Sequence, residues 1–233
     1  MLRRLVVIAT FFVFLFTGLK QNNVTTETYA YSEVMSEEDN TKATVTIYFM
    51  LKNGEGSGTG VVWDITEEGK LIILTAKHCV DYDEPSIIAV VFDNGEIYIV
   101  NDICMSDKSD FAFISIDLAI VSEETLASIQ VVQYDKNVTD NRGDEVYTLG
   151  KHYKKGVLYF SGKCLTSEYS KSFDRMFGNY TFITDFSVVP GTSGGGVYNE
   201  EGYILGICSK GNEKITTFIA IEEIIEFYEV TMK

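Results

Sequence analysis

The sequence predicts an all-β fold with one C-terminal α-helix, and three observations carry this. First, short runs rich in β-branched and aromatic residues succeed one another from residue 43 onward: Val45–Met50, Leu71–Leu74, Ile87–Phe92, Ile97–Val100, Phe111–Ile116, Val146–Leu149, Val157–Phe160, Tyr180–Thr184 and Tyr203–Ile207. Second, turn signals separate them. Asp93-Asn94-Gly95 and Asn199-Glu200-Glu201-Gly202 are hairpin turns by composition, because Asn and Gly tolerate positive φ. Third, Ile221, Ile224, Ile225 and Tyr228 fall at i, i+3, i+4 and i+7 with Glu222, Glu223, Glu226 and Glu229 between them. That spacing gives an amphipathic helix packed on the body, within residues 219–231. The strand spacing suits barrels or a sandwich, not alternating strands and helices.

The bulk numbers narrow the function. The chain has 233 residues, 45% of them apolar, enough for a sizeable core. A net charge of −15 argues against a nucleic-acid backbone as partner. Cys79, Cys104, Cys164 and Cys208 form no CxxC pair, so no zinc site is expected. Two disulfides, if the chain is exported, and four free buried thiols are both open.

Met1-Leu2-Arg3-Arg4 followed by an uncharged run from Leu5 to Leu19 has the pattern of a secretory signal or short membrane anchor over residues 1–20. The expected location is therefore secreted or extracytoplasmic, with membrane attachment through residues 5–19 as one form of it. The polar, acidic residues 21–43 show no helical or strand period and are expected to be a linker. Asn23, Asn137 and Asn179 head Asn-x-Thr sequons, which matter only in a eukaryotic secretory pathway.

The chemistry lies in three motifs. Gly191-Thr192-Ser193-Gly194-Gly195-Gly196 offers a nucleophile whose flanking glycines let the N–H groups of Gly191 and Ser193 point at one spot, an oxyanion hole. A serine hydroxyl needs a base to take its proton. The chain has two histidines. His78 ends the strand-like run Leu71–Ala76, whereas His152 lies in a polar turn and is expected at the surface. The base needs an orienting carboxylate. Asp102, Asp107 and Asp110 compete, and Asp110 is preferred because it directly precedes the apolar run from Phe111.

In this order the motifs resemble a trypsin-like (chymotrypsin-fold) serine protease over roughly residues 44–229, closest to the bacterial HtrA-type protease domain. The supporting stretches are Gly56–Val62, Leu74-Thr75-Ala76-Lys77-His78, Ser109–Ala112, Thr184-Asp185, Gly191–Gly195, Gly202–Ile207 and Phe218–Ile221. The resemblance implies two six-stranded antiparallel barrels, about 44–127 and 128–218, with the site in the cleft between them. It implies a serine endopeptidase acting on protein or peptide substrates through His78, Asp110 and Ser193, without cofactor or metal. Ser209-Lys210-Gly211 matches the strand that pairs with the substrate backbone. Ser187, six residues before the nucleophile, should lie near the base of the specificity pocket. It is not acidic, so a small or medium apolar P1 side chain is expected.

Departures from the family carry expectations too. Thr192 stands where trypsin-like zymogens have an aspartate that pairs with a newly cut N-terminus, so that activation route is not expected. Ser57 or Thr59 stands near the usual cysteine partner of Cys79, which leaves Cys104 as another candidate. No PDZ domain is expected after the last helix. A catalytically silent homologue that binds peptides is the competing reading. An α/β-hydrolase esterase, suggested by Gly191–Gly195, would need a histidine after the serine, and none follows Ser193.

Overall fold

The computed structural model describes residues 36–82, 87–135, 142–165 and 181–233. The leader-like run, the three sequon asparagines and Tyr180 lie outside the described residues. Two curled antiparallel sheets make up the body. The first contains β1 (Thr44–Leu51), β2 (Gly54–Ile65), β3 (Lys70–Thr75), β4 (Ile87–Val91), β5 (Ile97–Ile99), β6 (Asp102–Met105) and β7 (Ala112–Asp117), in the order β5-β4-β1-β2-β3-β7-β6. The second contains β8 (Glu145–His152), β9 (Gly156–Lys163), β10 (Thr181–Thr184), β11 (Gly196–Asn199), β12 (Ile204–Gly211) and β13 (Thr216–Ala220), in the order β10-β13-β12-β11-β8-β9.

The implied six strands of the first barrel are seven. β5 pairs with β4 and β6 with β7, so the chain between them serves both edges and breaks as it turns the corner at Val100–Asn101. Buried Val100 anchors that corner through its N–H to the Ile88 carbonyl at 3.0 Å. In the second sheet the edges meet: Cys164 bridges Thr184, and the Asp185 N–H reaches the Lys163 carbonyl at 3.0 Å. Both expected hairpin turns form, with Gly95 at φ +84° and Gly202 at φ +82°.

The expected linker ends in structure. Residues Glu37–Lys42 form helix α1, started by a capping box between Ser36 and Asp39. The helix is six residues long and held by local caps, not by an apolar stripe, so no helical period marks it. Its buried Asn40 ties it to the body by donating to the Tyr147 hydroxyl at 2.8 Å and the Gly202 carbonyl at 3.0 Å. Helix α2 (Glu123–Ser128), capped by Ser122, follows the first sheet.

The C-terminal helix α3 (Ile221–Thr231) buries Ile221, Ile224, Ile225 and Tyr228, the four residues the spacing singles out. They join Trp63, Phe111, Phe113, Leu149 and Tyr198 in a core that draws on both sheets. Trp63 is its centre: it stacks on Tyr134 at 4.7 Å and meets Phe113 and Tyr228 edge-on, each at 5.8 Å. Trp63→Ala should cost about 3–5 kcal/mol of stability, read as a lower denaturation midpoint with unchanged slope.

Candidate active site

Strand register brings the first two candidate residues together. β3 and β7 are antiparallel neighbours with Thr75 opposite Ala112. Three residues after Thr75, on a 3-10 turn at Lys77–Cys79, comes His78; two residues before Ala112 comes Asp110. The two therefore meet at the same end of the sheet. Asp110 is buried and holds His78 twice: Oδ1 accepts the His78 backbone N–H at 3.0 Å, and Oδ2 lies 2.7 Å from Nδ1. A carboxylate only accepts, so a ring proton belongs on Nδ1, and in the neutral imidazole the Nε2 lone pair is the one left free. Asp102 and Asp107, the competing acids, are exposed.

Electrostatics favour the charged form of His78. Burial pulls its pKa down, but the hydrogen bonds to Asp110 and to the Cys79 sulfur outweigh burial and raise it above the ordinary value.

Ser209 joins this pair to Ser193. Its hydroxyl donates to Asp110 Oδ2 at 2.6 Å, while its carbonyl accepts from Ser193 Oγ at 3.5 Å. The second distance is long for a hydroxyl donor, so that bond is weak. The family resemblance assigns Ser209 a backbone role toward substrate and none to its side chain. Its side chain also completes the three-donor shell of Asp110, a role without a sequence signal because it depends on β12 passing behind the acid.

The loop before β11 has the shape its glycines suggest. Gly191 and Gly194 take φ values of +101° and +85°, a region that favours glycine. Thr192 N–H donates to Val189 O at 3.2 Å, Gly194 N–H to Cys208 O at 2.7 Å and Gly195 N–H to Thr192 O at 2.9 Å. Among the described residues, the N–H groups of Gly191 and Ser193 donate to no protein group.

Other expectations fall out unevenly. His152 is not a free surface residue: its half-buried ring lies against Gly191, where an added Cβ would sit 2.7 Å from Cδ2. Thr192 is fully buried against Gly150. The residue opposite Cys79 is Gly58, not Ser57 or Thr59, because strand alternation points Gly58 inward; its Cβ would lie 2.5 Å from the Cys79 sulfur. All four cysteines are free thiols, and Cys104 does not bridge Cys79. Ser187 is half-buried between Phe186, which packs on Phe218, and Val188. Pairing of β12 with β11 stops at Gly196–Ile207, so Ser209, Lys210 and Gly211 run on past the end of β11. No cluster that could hold a metal ion occurs among the described residues.

The trypsin-like peptidase domain family matches residues 58–207, well over half of the chain and spanning both sheets. The chain belongs to the trypsin-like peptidase family. It is a serine protease by family. Among solved structures it is similar to the serine endoprotease from Yersinia pestis, with a TM-score of 0.63 and 24% identity over 85% of this chain and 67% of that one. It is also similar to a serine-to-alanine variant of the HtrA-type protease AlgW with a tripeptide, with a TM-score of 0.65 and 18% identity over 85% of this chain and 64% of that one. The trypsin-like chain thus spans about two thirds of these HtrA-type proteins. No curated protein sequence matches it.

Proposed function

We propose that this chain is a serine endopeptidase that uses Ser193 as nucleophile, His78 as base and Asp110 as orienting acid. Ser193 Oγ attacks the scissile carbonyl carbon and its proton passes to His78 Nε2. The oxyanion that forms is held by the N–H groups of Gly191 and Ser193. Collapse breaks the C–N bond, the amine leaves with the proton from Nε2, and water repeats the cycle on the acyl-enzyme. One observation carries this reading: Ser209 touches both halves of the site, its hydroxyl donating to the Asp110 that holds His78 and its carbonyl accepting from Ser193 Oγ, which must turn from that carbonyl to Nε2 for the attack. The two undonated N–H groups beside it support the oxyanion role.

The substrate backbone lies along Ser209, Lys210 and Gly211 as an added strand. Ser187, uncharged and flanked by Phe186 and Val188, supports a small or medium apolar P1 side chain. The pattern of residues 1–20 supports export, with or without retention at the membrane. No described helix is long and apolar enough to cross a membrane.

The test is labelling of the full chain with a fluorophosphonate, wild type against Ser193→Ala. Label on the wild type alone is the expected result. A folded wild type that takes no label would instead leave a silent, peptide-binding homologue. A peptide library then reads P1, and a profile dominated by Arg or Lys would reject the apolar pocket.

A further inference from the structure

The oxyanion donors need a fixed backbone, yet Gly191 has no side chain to lock it and glycine reaches either sign of φ at no steric cost. The residue that grips it comes from the other sheet. Thr59, fully buried in β2, spends all its polar groups around the site. Its hydroxyl donates to the Gly191 carbonyl at 2.6 Å and accepts the Lys151 N–H at 2.8 Å. Its N–H donates to the Ser193 carbonyl at 2.7 Å, and its carbonyl accepts the Thr75 hydroxyl at 2.7 Å, three residues before His78. The two loop carbonyls it holds thus belong to the two residues whose N–H groups are undonated.

The Gly191 carbonyl shares a peptide plane with the Thr192 N–H, which donates to Val189. With Thr59 on one end and Val189 on the other, that plane has one orientation. The approach is also close: a Cβ on Gly194 would lie 2.1 Å from the Thr59 carbonyl oxygen.

We infer that Thr59 is a positioning residue, a cross-sheet latch whose hydroxyl selects the conformation of the 191–193 loop in which the oxyanion donors face the substrate. The inference rests on the reading of Ser193 as nucleophile. Complete loss of an oxyanion donor costs about 10²–10³ in kcat, and loosening both donors without deleting either should cost less.

The experiment measures p-nitrophenyl acetate hydrolysis and thermal melting for the full chain and four variants. Thr59→Val should lower kcat about 10- to 100-fold with KM changed less than about threefold, and Thr59→Ser, which restores the hydroxyl, should stay within about threefold of wild type. Thr125→Val is the structural control: Thr125 is buried in α2, its hydroxyl donates to Glu96 and accepts from Asn94, each at 2.7 Å, and it shares no partner with Thr59. It should lower Tm and leave kcat unchanged. If Thr59→Val fails to fold, Thr59→Cys, a weaker donor in the same place, should give an intermediate kcat. Wild-type kcat in Thr59→Val or Thr59→Cys, or an equal kcat loss in Thr125→Val, overturns the latch. Fluorophosphonate labelling separates the two levels. A labelled wild type with an unaffected Thr59→Val sinks the latch alone, and an unlabelled wild type removes the nucleophile and the latch with it.

Discussion

Ser193→Ala should lower kcat for casein hydrolysis by about 10⁴–10⁶-fold while leaving KM and folding nearly unchanged. The size follows from the role proposed for the hydroxyl. Without Oγ no acyl-enzyme forms, and what remains is the oxyanion donors acting on bound water. Stability should hardly move, because Ser193 is only half-buried and its one side-chain hydrogen bond, to the Ser209 carbonyl at 3.5 Å, is weak. A variant that melts as wild type does but loses only a few-fold in kcat would show that a different group attacks the carbonyl.

Asp110→Asn should lower kcat by about 10⁴-fold and also alter the pH profile. The carboxylate accepts three donors: the His78 N–H, the His78 ring proton and the Ser209 hydroxyl. An amide accepts through its oxygen alone. If that oxygen keeps the backbone N–H, the NH₂ group faces Nδ1 and drives the ring proton to Nε2, where it blocks the base. The sign of the pH effect follows from the raised pKa of His78. Catalysis needs neutral imidazole, so wild-type kcat/KM should rise with pH through a limb lying above the ordinary imidazole value of about 6.5. The Asn variant should move the residual limb downward, because the hydrogen-bonded anion that favours imidazolium is gone. Stability runs the other way: the contribution of charged His78 is fully present below the unfolded-state pKa and is lost as pH rises through the folded one. Asp107→Asn, on an exposed side chain, should stay within about twofold of wild type. If Asp107→Asn alone abolished activity, the acid would be misassigned.

Legibility followed the range of the interactions. β1, β3, β4 and β7 announce themselves through compact apolar runs, and α3 through its stripe. β2 is silent in its first half: Gly54, Gly56, Gly58 and Gly60 leave no apolar run there, yet they lie in a 12-residue strand. Inward neighbours explain it. Gly56 faces the Phe49 ring, and Gly60 faces Val45, Ile47 and Ile73, where larger side chains would collide. Such steric reasons belong to the neighbours and leave no local period.

The candidate site divides in the same way. Residue types and their order alone determine that a serine in a glycine turn, a histidine after a strand and an acid before one are present, because each motif is contiguous in the chain. They also determine the all-β body and the covering helix, through periodicities of two and 3.6 residues. The tertiary structure decided which of three aspartates faces His78, because strand register between β3 and β7 sets that pairing. It decided that Ser209 donates to the acid, that His152 packs on Gly191 and that Gly58 opposes Cys79. It decided that Thr59 grips the loop from the opposite sheet, 132 residues away in sequence. These are contacts between distant segments, with geometry set by how the two sheets pack, and no local pattern in the chain encodes that packing.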